Sequence, residues 1–198
     1  TAEQRGAELL VLQLNTPGGS VDLMQEMVET IRTSDIPVVV YVAPRGAIAG
    51  SAGTVITLAG HAAAMAPETA IGAASPVDAE GQDLGETVAA KQKNIMKATV
   101  RSLAENRGEQ AIAIAESTIE SAEAVSSSEA LEVGLIDFIA NSTTDLLEQL
   151  DGFTVSMHDG SQIELATQNA AVVELPPSLI EQFLGILTNP NIVFLLLT

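Results

Sequence analysis

Apolar residues fall in two registers along this chain. LLVLQL (residues 9 to 14) and PVVVYV (37 to 42) are continuous, predominantly apolar runs of strand length, the mark of strands covered on both faces. Between them, VDLMQEMVETIRTS repeats Val21, Met24, Val28 and Ile31 at helical spacing, so strand, helix and strand predict a parallel, right-handed crossover. After PRGAIAG a helix of small residues is expected from about Ser51 to Leu58, with short strands near 63–66 and 70–72. Residues 75–87, SPVDAEGQDLGET, are acidic and aperiodic and read as a mobile loop. Helices are expected at about 88–106, 109–117 and 128–133, then a strand in LIDFIA and a helix in TTDLLEQL. FTVSMHDGSQIELA alternates on both sides of Asp159-Gly160, a hairpin pattern, and PPSLIEQFLGILTNPN predicts an amphipathic helix with proline in its first turn.

Composition narrows the partners. The 198 residues include no Trp and only 3% aromatics, so the core must be built from Ala, Val, Ile and Leu in closely packed layers. Twenty-six acidic residues against eight basic ones give a net charge of −18, which disfavours nucleic acid and anionic lipid headgroups as ligands. The absence of cysteine excludes disulfides, thiolate catalysis and Cys-ligated metal. His61 and His158 stand far apart without metal-ligand spacing, so neither metal nor cofactor is expected. The closing run NPNIVFLLLT is too short to span a bilayer, and reads as a buried tail or as the first turn of a membrane helix.

Candidate chemistry gathers at two glycine-rich turns. Ser51 lies between Gly50 and Gly53 where a strand passes into a helix, a setting that suits a nucleophile and equally suits a serine N-cap in tight packing. In NTPGG, the backbone N–H groups of Gly18 and Gly19 could form half of an oxyanion hole, with Ala52 N–H as the other half; an ordinary turn is the plainer reading. His61, ten residues after Ser51 at a helix end, reads as a packed or solvated histidine rather than a base. On the helix that follows, Val88, Ile95, Thr99 and Leu103 share one face, with Lys91 at its edge. Lys93, Lys97 and Arg101 recur on the far side as a solvated face. Partial burial at that edge would favour a neutral Lys91 amine as general base, against the alternative of a lysine that merely covers the core margin.

Three segments in order, LNTPGGSVD, GSAGTVITLAGHAAAMAPETAIGAASPV and KQKNIMKATVRSLAENRG, resemble the NfeD family of membrane-bound, ClpP-class serine proteases, over about residues 9 to 198. The resemblance implies a ClpP/crotonase-like α/β fold over residues 1–150, a β-hairpin extension over 151–175, and an amphipathic helix over 176–198 leading to a membrane segment. It implies a Ser–Lys dyad of Ser51 and Lys91, 40 residues apart, with Gly19 and Ala52 as the oxyanion hole and Gly18 against the substrate backbone. Where many relatives carry His this chain has Ser75, which argues against a Ser–His–Asp arrangement. The resemblance further implies a homo-oligomeric, membrane-anchored endopeptidase, its protease domain outside the cytoplasm, that cuts a hydrophobic segment of a stomatin-like membrane protein. The competing readings are an inactive scaffold for a membrane partner, a signal peptide peptidase of the SppA class, and an acyl-CoA enzyme on the same fold. The family's first strand is expected to precede Thr1.

Overall fold

The computed structural model describes residues 6–77, 85–168 and 170–175. Strand β1 (Leu10–Leu14) leads through the NTPGG turn into helix α1 (Val21–Arg32), and β2 (Val38–Val42) returns parallel to β1, with Leu10 opposite Val38. Ser20 caps α1 by accepting from Leu23 N–H at 3.3 Å. A short strand β3 (Ile48–Gly50) runs into α2 (Ala52–Ala59), and β4 (Ala62–Met65) then pairs parallel to β2. Next come β5 (Ala70–Gly72), α3 (Glu86–Leu103), α4 (Glu109–Glu120), β6 (Ala124–Ser126), α5 (Ser127–Glu132), β7 (Phe138–Ile139) and α6 (Thr143–Leu150). The chain closes its compact part with the hairpin β8 (Thr154–Ser156) and β9 (Gln162–Glu164), as the Asp159-Gly160 pattern predicts.

The main sheet has the order β1-β2-β4-β7 and is wholly parallel; a smaller sheet has the order β3-β5-β6, with β6 antiparallel. Alternation along a strand divides the core into two layers. Val38, Val40, Val42, Ala63 and Met65 pack with α1 to α4 on one face of the sheet. Val39, Tyr41, Ala62 and Ala64 pack on the other face with Leu146, Leu147 and Leu150 of α6 and with Val155, Met157 and Leu165 of the hairpin. Burial on both faces is why β2 and β4 carry no polar residue.

Contacts divide the chain into a compact unit, Thr1–Gln168, and a second, Asn169–Thr198. The hairpin lies in the first unit. Residues 170–175 of the second have no regular structure, and the amphipathic helix expected from Pro176 onward lies outside the described residues, as does most of the expected 75–87 loop. Among the described residues no helix is long and apolar enough to cross a membrane.

Several elements differ from the sequence pattern. Strands β3 and β6 were not expected: each has three residues and too few positions to show a period. The LIDFIA strand shortens to two residues because Leu135 and Ile136 N–H groups both turn back to Ala130 O. Helix α3 rests on Val100, fully buried, with Met96 and Leu103 beside it, while Val88 and Ile95 of the expected apolar face are 50% and 62% exposed. Lys93, Lys97 and Arg101, expected to be solvated, lie at the surface and in addition reach across to α4.

Candidate active site

The NTPGG turn and the Ser51 turn are stitched together through the backbone. Thr16 N–H donates to Ile48 O at 2.8 Å, Gly50 N–H donates to Thr16 O at 2.9 Å, and Asn15 Oδ1 accepts from Ile48 N–H at 3.1 Å. The approach demands glycine at three points, among them Gly53, where a Cβ would stand 2.7 Å from Thr16 Cγ2. A Cβ on Gly50 would stand 2.9 Å from Pro17 O, and one on Gly18, whose φ is +148°, would stand 2.9 Å from Ser51 Cβ and 3.3 Å from Ser51 Oγ. Gly19 follows, placed so that a Cβ there would meet Ala52 Cβ at 4.0 Å.

Ser51 itself has φ +52° and ψ −117°, a left-handed conformation that costs a non-glycine residue about 1–3 kcal/mol and survives only where its surroundings enforce it. Those surroundings are visible. Ser51 N–H donates to Gly72 O at 3.0 Å, Thr54 N–H donates to Ser51 O at 3.0 Å, and the buried Thr54 Oγ1 accepts from Gly72 N–H with its single proton placed between Ala49 O and Gly72 O, at 2.8 and 2.9 Å. Although Ser51 occupies the N-cap position of α2, its side chain makes no cap hydrogen bond. The strained turn therefore holds a half-buried Oγ beside Gly18 without using it to close the helix. Neither Gly19 N–H nor Ala52 N–H donates to another described residue, and Ala52, as the first residue of α2, has no partner inside its own helix.

The candidate bases separate by position. His61 immediately precedes β4, and its Nδ1 accepts from Val38 N–H at 3.0 Å, so it stands at the opposite end of the sheet from the NTPGG turn, about 13 Å away at 3.3 Å per strand residue. Burial, and then the charge of Arg32, push its pKa below the ordinary histidine value. His158 sits in the β8–β9 turn, exposed. Asp137 is occupied as well: its carboxylate accepts from Ala63 N–H at 2.7 Å and from Arg107 at 3.0 Å.

Of the three lysines in the chain, Lys93 donates to Glu120 O at 2.6 Å and Lys97 pairs with the Glu120 carboxylate at 2.9 Å. Lys91 lies near the start of α3 and is exposed rather than half-buried at the core margin. The structure thus brings Gly18, Gly19, Ser51 and Ala52 together and puts Lys91 on the neighbouring helix.

An open, mainly apolar groove of about 150 Å³ links the three helices, lined by Met24, Gln25, Val28 and Glu29 of α1, Val55 of α2, and Ile95, Met96 and Thr99 of α3. Val55 is four residues beyond Ser51, and Ile95 is four beyond Lys91. Each lies one helical turn, roughly 6 Å, further along its helix. Met24 is five residues beyond Gly19. The elements that carry the candidate oxyanion donor, serine and lysine therefore each line one groove. Sequence reasoning did not find this groove, because it depends on which face α3 buries. Among the described residues no group of three His, Asp or Glu is placed to hold a metal ion.

A parallel sheet whose first strand ends in a glycine turn, packed against a strained strand-to-helix serine, defines the ClpP-like class of α/β folds. The chain belongs to the NfeD family: residues 1–160 match the family of the NfeD1b N-terminal domain. It is similar to the membrane-bound protease PH1510 of Pyrococcus horikoshii, with 39% identity over all of this chain and 45% of that protein. It is also similar to the membrane protein NfeD1b of Bacillus subtilis, with 32% identity over all of this chain and 43% of that protein. The chain thus spans less than half the length of these relatives. Among solved structures, it resembles the 1510-N membrane-bound stomatin-specific protease in a lysine-to-alanine mutant bound to a substrate peptide, with TM-score 0.84, 35% identity, and coverage of 95% of this chain and 86% of that one. A serine-to-alanine mutant of the same protease matches with TM-score 0.80 and 37% identity over 89% and 86%.

Proposed function

We propose that this chain is the protease domain of a membrane-anchored serine endopeptidase that works through Ser51 and Lys91. The observation that carries the reading is the strained Ser51 turn, held open by Gly18 and Gly72 with its hydroxyl left out of the helix cap. Ser51 Oγ attacks the carbonyl carbon of the scissile peptide while its proton passes to the neutral Lys91 amine. Negative charge then develops on the carbonyl oxygen, where Gly19 N–H and Ala52 N–H donate to it; Ala52 adds the positive end of α2. As the intermediate collapses, the leaving amine takes the proton from Lys91. Water, deprotonated by the neutral Lys91 amine, adds to the acyl carbon, and the Lys91 ammonium returns the proton to Ser51 Oγ as the ester C–O bond breaks.

The lysine assignment rests on three supports. Both histidines stand away from Ser51, and both other lysines are engaged by Glu120. The serine and lysine replaced in the mutants of the related protease lie 41 positions apart, against 40 here. By the same relationship we propose a stomatin-like membrane protein as substrate, an extended aliphatic segment as the cleaved stretch, with Gly18 against its backbone, assembly as a homo-oligomer, and placement on the extracytoplasmic side.

The exposure of Lys91 favours one alternative, an inactive scaffold that binds the partner without cutting it. Intact-mass analysis after exposure to a fluorophosphonate probe between pH 6 and 10 separates the two. The protease reading expects one adduct that rises with pH and disappears in Ser51→Ala and Lys91→Ala. A folded chain that takes no adduct at any pH supports the scaffold.

A further inference from the structure

The last turn of a helix leaves its carbonyls without intrahelical donors. In α4, those of Thr118, Ile119 and Glu120 are each taken by a group from elsewhere in the chain. Ala74 N–H donates to Thr118 O at 2.8 Å, Ser75 Oγ to Ile119 O at 2.7 Å, and Lys93 Nζ to Glu120 O at 2.6 Å. Just beyond the helix, Ala73 N–H donates to Glu123 O at 2.8 Å. The Glu120 carboxylate holds Lys97 at 2.9 Å, and Glu116, one turn earlier, holds Arg101 at 2.6 Å.

One turn of helix therefore grips two segments that matter to the reaction. On one side is the stretch that starts at Gly72, whose carbonyl accepts the Ser51 N–H and so fixes the serine turn. On the other is α3, which carries Lys91 two residues before Lys93. Cations at the carbonyl end of α4 are also favoured by its dipole.

We propose that the C-terminal turn of α4 is a bracket that sets the position of Lys91 relative to Ser51, with Glu120 as its positioning residue. Glu120 touches neither reacting group; its carboxylate acts through Lys97, and its backbone carbonyl holds Lys93. The proposal rests on the protease reading above. Its size follows from two general facts: exposed ion pairs add little to global stability, whereas a 1 Å misplacement of a reacting group costs up to about a hundredfold in rate. Loss of the bracket should thus be felt in rate and hardly in melting temperature.

Fluorophosphonate labelling of Ser51, measured against probe concentration, gives a limiting rate and a half-saturating concentration. In Glu120→Gln and in Lys97→Glu the limiting rate should fall about tenfold while half-saturation stays in place. In the charge-swapped Glu120→Lys, Lys97→Glu chain it should recover to within about threefold of native. A melting temperature that drops while the limiting rate holds would make Glu120 merely structural and overturn the proposal. Because the chain has no cysteine, Ser51→Cys with Lys91→Cys also accepts a single pair of nitroxide labels. Dipolar EPR should give one narrow distance in the otherwise native chain and a broad distribution in Glu120→Gln. Identical distributions would also overturn the bracket. A native chain that does not label at all would sink the protease reading, and the EPR pair would still decide the bracket.

Discussion

At the scale of single residues, the geometry depends on what two positions cannot tolerate. Gly18 combines φ +148° with a Cβ position 2.9 Å from Ser51 Cβ, so Gly18→Ala must displace the serine or the turn. A loss of labelling of about a hundredfold is expected, because displacement by even 1 Å is costly at a reacting centre. Near-native labelling of Gly18→Ala would mean that the NTPGG turn does not confront the serine in solution. His61 is the second such position. Burial disfavours the imidazolium, and Arg32 adds like charge. The folded pKa is depressed, so the unfolded chain binds the proton more readily. The stabilisation is complete above the unfolded value near 6.5 and is lost as pH falls below it. Melting temperature should therefore fall between pH 7.5 and 5.5, and do so less steeply in His61→Asn, whose Oδ1 also accepts from Val38 N–H. Glu120, Glu129 and Asp145, whose carboxyl pKa values are also lowered, lose their contributions only further into acid, which leaves this window to His61. Equal slopes for the two chains would remove His61 as the cause.

At the scale of elements, the groove between α1, α2 and α3 sets an expectation for selectivity. An open, mainly apolar groove near 150 Å³ has room for the bulk of one aliphatic or phenyl side chain. Peptides that differ only in one residue beside the cleaved bond should be cut at least about tenfold better, in kcat/KM, with Leu than with Ala. Met96→Ala, which enlarges the space, should move the preference toward Phe. A flat series in both chains would reduce the groove to a packing void. None of this was legible in the sequence, and the reason lies in α3. Its 3.6-residue pattern admits a face through Val88 and Ile95 as readily as the one through Met96 and Val100 that the fold buries. By contrast β1, β2, α1 and the hairpin were readable, because a predominantly apolar run of strand length, a four-point helical stripe and Asp-Gly between alternating strands each specify one structure locally. The Ser51 turn was readable as to place, from its glycines. Its unused cap and its strain were not, since both come from Gly72 and Thr54, which reach it across the chain.

At the scale of the whole molecule, the two core layers divide the labour. The apolar residues beneath the candidate site, Met24, Ala52, Val55 and Met96, belong to the layer on one face of the main sheet. α6 and the hairpin fill the other face and touch the site only through the strands between. Leu150, fully buried in that second layer, offers a clean separation. Leu150→Ala leaves a cavity that costs about 2–5 kcal/mol, which for a chain of this size lowers the melting temperature by about 4–20 °C. Labelling of Ser51 well below that temperature should stay within about twofold of native, since β2 and β4 are fixed by their neighbours on both sides and pass on little of a one-sided relaxation. Val100→Ala, an equally buried loss beneath α3, should lower both the melting temperature and the labelling rate, because α3 carries Lys91. Thermal melts with labelling at 25 °C on the two variants decide the matter. If Leu150→Ala slowed labelling as much as Val100→Ala does, the sheet would be transmitting strain between its faces, and the hairpin layer would have to be counted as part of the catalytic framework.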